Sequence, residues 1–314
     1  MSPAVAQRSD ALQMPRIAAL SKGAMEFSLS GRGPAVLAIH GSPGGFDHAE
    51  LFFGNLAGQG FTLIAPSRPG FLRTSLELGR TVAEQADLMV ELLDKLGVHD
   101  FFLCGFSCGA ATAVRIAARY PERVRGMILE SPVTKSFKHK CTDGLHGKLL
   151  LSDFGSFVMR QLIDHAPLYS IERLLERQGD YDRLGIRQEA RRIFWDNEKR
   201  WYALRVLEQC LPASDRAAGM INDARQLEDF ENRDLFGVKC PTLIIHGAAD
   251  GEVSLRHGEH AAERIANSRL MIVPDACHLL CLSPRWRDIQ EARLAFLKAV
   301  LSGSRDPLRQ VPGV

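Results

Sequence analysis

The chain has 314 residues, 46% hydrophobic and 24% charged, an ordinary globular composition with ample length for a large core. Its formal charge is +2, from 39 basic against 37 acidic residues, so charge gives no reason to propose a nucleic-acid or acidic-polymer partner. No stretch is long and apolar enough to span a bilayer, which argues against a membrane protein.

In chain order, residues 1–22 are expected to form a loosely held leader. Residues 25–29 alternate and run into the turn cluster Gly31-Arg32-Gly33-Pro34, which predicts an edge hairpin with 35–39 as its return strand. That return strand is continuously apolar, hence central, and ends in His40-Gly41-Ser42-Pro43-Gly44-Gly45. A helix is expected over 49–56, then a buried strand over 61–65 ending in Pro66-Ser67-Arg68-Pro69-Gly70-Phe71. Arg68 is read as stabilising that loop. Residues 81–96 carry apolar side chains at helical spacing, with Thr81 and Glu84 set for a capping box and Gly97 as the stop. Further strands are predicted over 100–104, 124–130, 242–246 and 270–273, with helices over 110–120 and 285–301. Strands alternating with helices specify a mostly parallel α/β sheet with helices on both faces. Residues 132–236 break the alternation: they hold no convincing strand and several amphipathic helical segments, 154–165, 171–177, 188–208 and 215–230. We read them as a helical cap over the carboxyl ends of the strands, where open α/β sheets bind ligands. The core is then 23–131 with 237–302, followed by a tail over 303–314.

The chemistry centres on Gly105-Phe106-Ser107-Cys108-Gly109, which reads G-x-S-x-G between a predicted strand and a predicted helix. A serine in so tight a turn stands above the sheet edge, at a helix N-terminus that favours developing negative charge. Without its flanks the pentapeptide is only a turn that carries a serine; the strand before and the helix after make it a nucleophile. A serine hydroxyl needs a base within hydrogen-bond reach. Of ten histidines, His278 lies just past the last strand, where it reaches the same sheet edge. Asp250, after the strand ending His246-Gly247, is the group that would orient the imidazole. Glu130 is the rival acid, and Asp275 is read as a turn residue. The tetrahedral intermediate needs N–H donors, and the backbones of Cys108 and Ser42 are in register to supply them. His40, Gly41 and Gly44 are expected to lie against substrate.

These pieces together resemble the α/β-hydrolase fold family in its lid-bearing serine hydrolase branch. They are His40-Gly41-Ser42-Pro43-Gly44, Arg68-Pro69-Gly70-Phe71 with Ser75, Gly105-Phe106-Ser107-Cys108-Gly109, Gly247 to Asp250, and His278, in family order. The resemblance implies an eight-stranded sheet, a helical cap after the sixth strand, and an acyl-enzyme mechanism on a Ser107–Asp250–His278 triad. Two positions depart from the family: Cys277 stands where glycine often precedes the histidine, and Cys108 where methionine, glutamine or tryptophan is more usual. Serine at 107 argues against the dehalogenase and epoxide hydrolase branches, which use aspartate there.

The expected activity is hydrolysis of an ester or related acyl bond of a small-molecule acyl substrate. Phe154, Phe157, Phe194, Trp195, Trp201 and Tyr202 are available as apolar cap walls. The Pro-Gly-Gly loop also resembles proline iminopeptidases, for which Glu172, Glu176 and Glu189 are candidate amine-binding carboxylates. Carbon–carbon bond hydrolases resemble the layout too, though they commonly carry tryptophan after the histidine, where this chain has Leu279. A ligand-binding member without activity is the alternative from another class; a complete triad argues against it. No zinc-finger spacing or H-E-x-x-H occurs, so neither metal nor cofactor is expected. The sequence leaves room for a homodimer. Arg8, Asp10 and Arg16 interrupt the N-terminal segment, which does not read as a secretory signal. Seven dispersed cysteines without a C-x-x-C pair read as reduced thiols of a cytoplasmic protein.

Overall fold

The computed structural model describes residues 14–138 and 152–312. The first part of the expected leader, residues 139–151 of the expected cap, and the last two residues of the tail lie outside them.

Eight strands form one sheet: β1 (Arg16–Leu20), β2 (Gly23–Gly31), β3 (Ala35–Ile39), β4 (Thr62–Pro66), β5 (Phe101–Phe106), β6 (Val124–Glu130), β7 (Thr242–Gly247) and β8 (Ser268–Val273). Their order is β1-β2-β4-β3-β5-β6-β7-β8. From β4 to β8 every pairing is parallel, while β1–β2 and β2–β4 are antiparallel. The central strands are apolar on both faces because both faces are covered. Along β3, Val36 and Ala38 pack into one core and Leu37 and Ile39 into the other, as a two-residue period requires.

One core lies under α1 (Phe46–Phe53) and the C-terminal helix; the other lies under α2 (Val82–Lys95) and α3 (Gly109–Arg119). Thr81 and Glu84 close the capping box at the start of α2. Between β6 and β7 the chain inserts α4 (Asp153–His165), α5 (Pro167–Gln178), α6 (Arg183–Trp195), α7 (Asn197–Glu208) and α8 (Ser214–Glu228). After β7, the α-helices among the described residues are α9 (Arg256–Arg264) and α10 (Trp286–Leu301). Among the described residues no helix is long and apolar enough to cross a membrane.

Three expectations need correction. The leader does not extend to residue 22: β1 is a strand, paired in register with β2 from Arg16↔Phe27 to Leu20↔Gly23. The edge hairpin is therefore β1–β2, and β2 does not return into β3. Gly31 and Gly33 take φ of +77° and +124°, and a Cβ on either would lie within 2.2 Å of Phe61 O or 2.0 Å of Gly60 O. The turn thus carries the chain tightly past β4, leaving β2 antiparallel to β4 and β3 on its far side. The helix expected over 188–208 is two helices, because the Asp196 side chain accepts the amides of Glu198 and Lys199 and starts α7 afresh. The tail packs back on the sheet, with Arg269 of β8 donating to the carbonyls of Leu308 and Val311.

Candidate active site

β5 ends at Phe106 and α3 begins at Gly109, so Ser107 and Cys108 make the whole connection. Ser107 has φ of +52°, a left-handed conformation that is costly outside glycine and persists only where neighbours impose it. The neighbours are β6 and its loop: Ser107 N donates to Glu130 O at 2.9 Å, and Ser107 O accepts from Val133 N at 3.1 Å. The flanking glycines serve close packing. A Cβ at Gly105 would sit 2.9 Å from Ala113 Cβ, and one at Gly109 would sit 2.4 Å from His40 O.

The loops after β7 and β8 abut, since a Cβ at Gly247 would lie 2.2 Å from Ala276 O. They bring Asp250 and His278 to the serine. His278 Nε2 stands 3.0 Å from Ser107 Oγ and its Nδ1 stands 2.8 Å from Asp250 Oδ2. A carboxylate only accepts, so Nδ1 carries the hydrogen and Nε2 is free to accept from the serine hydroxyl. The other Asp250 oxygen accepts the amides of Glu252 at 3.0 Å and Val253 at 2.8 Å. Burial disfavours charge on His278, but the Asp250 carboxylate and its hydrogen bond outweigh it and hold the imidazole above its ordinary pKa. For Asp250 burial raises the pKa, and the His278 charge with hydrogen bonds from both His246 and His278 reverses this and holds the carboxyl well below the usual range.

The group is enclosed: Ser107, His278 and Asp250 are 3%, 4% and 6% exposed. The helical insertion contributes to that enclosure. The carbonyl of Gln178, at the end of α5, accepts His278 N at 2.9 Å and Gly251 N at 3.2 Å. Ser131 Oγ donates to His278 O at 3.1 Å, and the Phe106 ring packs on the imidazole at 5.1 Å.

The remaining expected site residues divide. Gly41 lies against the nucleophile, since a Cβ there would be 2.8 Å from Ser107 Cβ. Ser42 follows it in the loop after β3, and Cys108 precedes α3 at its N-cap position. Among the described residues neither of these two amides donates to another protein group. His40 is not a substrate contact. It is 0% exposed; its Nε2 accepts Arg68 N at 2.8 Å and its Nδ1 donates to Gly41 O at 2.6 Å. Burial and the Arg68 charge hold it neutral, so it braces the loop. Gly44 also faces inward: its N–H donates to Gly41 O, and a Cβ would meet His40 Nδ1 at 2.6 Å.

Glu130 is engaged elsewhere, in a bidentate ion pair with buried Arg293 of α10. Asp275 is a turn residue with φ of +56°. Trp195 is 78% exposed, and Phe154 and Phe157 are also largely exposed, so these aromatics do not wall an enclosed pocket. Tyr202 is core, its hydroxyl accepting from Trp286 Nε1 at 3.1 Å. Glu176 and Glu189 pair with Arg173 and Arg192 on their own helices. Among the described residues no cluster of three or more side chains could hold a metal ion.

Sequence reasoning passed over His246, whose Nε2 stands 3.2 Å from Asp250 Oδ2. The i,i+4 spacing in His246-Gly247-Ala248-Ala249-Asp250 was its available signal. The carbonyl of Gln178 had none, because a backbone acceptor carries no residue signature.

A buried serine in a left-handed strand-to-helix turn, hydrogen-bonded to a histidine that an aspartate orients, on an eight-stranded mostly parallel sheet, is the arrangement of a hydrolase. The chain belongs to the α/β hydrolase fold family, whose model matches residues 34–284. It is 30% identical over 280 residues to the uncharacterized hydrolase YcgS of Bacillus subtilis, covering 88% of this chain and 96% of that one. It is 27% identical over 269 residues to a 2-hydroxy-6-oxo-6-phenylhexa-2,4-dienoate hydrolase of Comamonas testosteroni, covering 82% and 86% of the two chains. Among solved structures, an alpha/beta hydrolase fold protein from Nakamurella multipartita superposes with a TM-score of 0.81 at 26% identity, covering 95% of this chain and 99% of that one.

Proposed function

We propose that the protein hydrolyses an ester or related acyl bond through an acyl-enzyme on Ser107. The observation that carries this reading is the unbroken chain from Asp250 Oδ2 through His278 to Ser107 Oγ, at 2.8 Å and 3.0 Å. Ser107 Oγ attacks the carbonyl carbon while its proton passes to His278 Nε2. The carbonyl oxygen becomes an oxyanion facing the amides of Ser42 and Cys108, a catalytic oxyanion hole. The intermediate collapses; the C–O bond to the leaving group breaks, and His278 returns the proton to the departing alcohol. Water then gives a proton to Nε2 and attacks the acyl carbon; the C–Oγ bond breaks, Nε2 returns the proton to Oγ, and the acid leaves. Asp250 never accepts the proton; it holds the tautomer and offsets the imidazolium charge. The insertion acts as a cap that shields the site from bulk solvent, supported by the low exposure of all three side chains.

The substrate is a small acyl compound, and no nucleic acid, metal or cofactor takes part. Free cysteines among the described residues support a reducing, cytoplasmic setting. A carbon–carbon bond hydrolase acting on a dienone is the second reading. The Comamonas relative favours it, while Leu279 stands where that group commonly has tryptophan.

The test is fluorophosphonate labelling with intact-mass readout, wild type beside Ser107→Ala. One adduct in the wild type and none in the variant is expected. An adduct that survives Ser107→Ala, or none in either protein, sinks the nucleophile assignment. An ester and dienone panel then separates the two substrate classes.

A further inference from the structure

Four charged side chains outside the Ser–His–Asp group are buried around the loop from His40 to Gly44: Arg68, Asp47, Arg216 and Asp223. They form two ion pairs, Arg68–Asp223 at 2.5 Å and Arg216–Asp47 at 2.7 Å. Buried pairs contribute little net stability against apolar replacements, so their use is better sought in what they orient.

What they orient is backbone. Arg68 Nε donates to His40 O at 3.0 Å and its Nη2 to Gly41 O at 3.4 Å. Gly41 O also accepts from His40 Nδ1 at 2.6 Å and Gly44 N at 3.1 Å. Arg216 Nη1 donates to Gly44 O at 2.6 Å. The cis bonds among the described residues are Ser42–Pro43 and Leu211–Pro212, so the Gly41–Ser42 peptide is trans. In a trans peptide the C=O and the next N–H point in opposite directions. Holding Gly41 O with three donors on one side therefore aims the Ser42 N–H to the other.

Asp223 and Arg216 both belong to α8, the last helix of the insertion. The helix is sewn to the Arg68 loop as well. Gly219 N donates to Gly70 O, and Leu72 N donates to Asp215 O, both at 2.8 Å. A Cβ at Gly219 would strike the Phe71 ring at 2.2 Å, so the ring occupies the space that glycine leaves.

We infer that α8 presets one donor of the oxyanion hole, with Arg68, Arg216 and Asp223 as positioning residues. The cap is then part of the catalytic apparatus as well as a cover. This rests on the acyl-enzyme reading above.

The test uses the full chain, p-nitrophenyl butyrate, and a trifluoromethyl ketone whose serine hemiketal carries the oxyanion. Asp223→Asn and Arg216→Met are expected to lower kcat about 10- to 100-fold, as misplacement of a donor by a fraction of an ångström does. KM should stay within about twofold, and the ketone's inhibition constant should rise by the same factor as kcat falls. A role confined to fold stability would lower the melting temperature without moving the ketone constant per folded molecule. Unchanged kcat in a folded variant, or an unmoved ketone constant, overturns the inference. Should Arg216→Met not fold, Arg216→Lys carries the same test, since one ammonium cannot reproduce the fork to Gly44 O and Asp47. Failure of the underlying reading looks different: Ser107→Ala would keep the esterase activity, and the inference would fall with it. Loss in Ser107→Ala with full activity in both α8 variants overturns the inference alone.

Discussion

His246 Nε2 and His278 Nδ1 converge on one oxygen of Asp250, at 3.2 Å and 2.8 Å, while the other oxygen holds two backbone amides. Every group facing the carboxylate is thus a donor. Asn at 250 would have to turn its NH2 toward a pair of N–H groups in either orientation. Asp250→Asn is therefore expected to drive His278 to the Nε2–H tautomer, which cannot accept the serine proton. The loss in kcat should approach the ~10⁴-fold seen for the corresponding change in chymotrypsin-type triads, with the fold retained. Steady-state kinetics with circular dichroism checks this; a loss under tenfold would reassign the acid.

The pH dependence follows from the same pair. In the proposed mechanism His278 must be neutral to act as base, and its pKa lies above the ordinary 6.5. The acid limb of kcat/KM is expected to fall at a pH above 6.5 and to move down when Asp250 is replaced. Stability carries the matching sign. A raised folded pKa gives a contribution that is complete below 6.5 and lost as pH rises through the folded value. Other histidines act oppositely. Burial lowers His48 to about 4 and His257 to about 3, so each destabilises the fold as pH falls below 6.5. The His278 contribution is thus read as the difference between wild type and His278→Gln as pH rises from 6.5. A difference that grows with rising pH contradicts the assignment.

Glu130 supplies a stability prediction rather than a catalytic one. Its partner Arg293 also donates to Phe52 O at 2.7 Å, and its guanidinium lies over the rings of Phe53 and Trp286 at 4.8 Å and 4.5 Å. Glu130→Gln leaves that guanidinium buried without a counter-charge, at a cost of about 3–5 kcal/mol. Denaturant unfolding should show the loss, while kcat per folded molecule, from active-site titration, should change less than about threefold. A large kcat loss would instead make Glu130 a participant in the chemistry.

The parts of this molecule that were legible in sequence share one property: their signal is local. β3, β5 and β7 read as strands because burial on both faces makes a short unbroken apolar run, and Ser107 and Asp250 stand just past such runs, while His278 follows the half-exposed edge strand β8. What was not legible depends on distant partners. Arg68 meets Asp223 across 155 positions, and Arg216 meets Asp47 across 169. Nothing in either neighbourhood marks those charges for burial, and charged residues on helices usually face solvent. His40 was misassigned for the same reason: its neighbours in sequence suggest a substrate loop, but its ring is spent on Arg68. β1 escaped because Arg16-Ile17-Ala18-Ala19-Leu20 is short and only its pairing with β2 makes it a strand. The β2–β3 hairpin failed because sequence adjacency was taken for pairing, whereas β4 lies between them.

Gly41 is the position where a single methyl group reaches the chemistry. Its added Cβ would lie 2.8 Å from Ser107 Cβ and 3.2 Å from Phe106 O. Neither neighbour can give way easily. Ser107 is pinned by its bonds to Glu130 O and Val133 N, and Phe106 is paired to Glu130 in β5–β6. The strain must then turn the elbow or displace the loop, and either opens the 3.0 Å contact between Ser107 and His278. Gly41→Ala is expected to cost about 100-fold or more in kcat, the scale set by an ångström of misalignment. Gly58→Ala is the control, since its added Cβ meets nothing within 4 Å. Burst kinetics on p-nitrophenyl acetate, with melting temperatures for both, makes the comparison. Gly41→Ala with wild-type burst amplitude and rate would show that the elbow yields, and that its left-handed serine is less firmly held than its bonds imply.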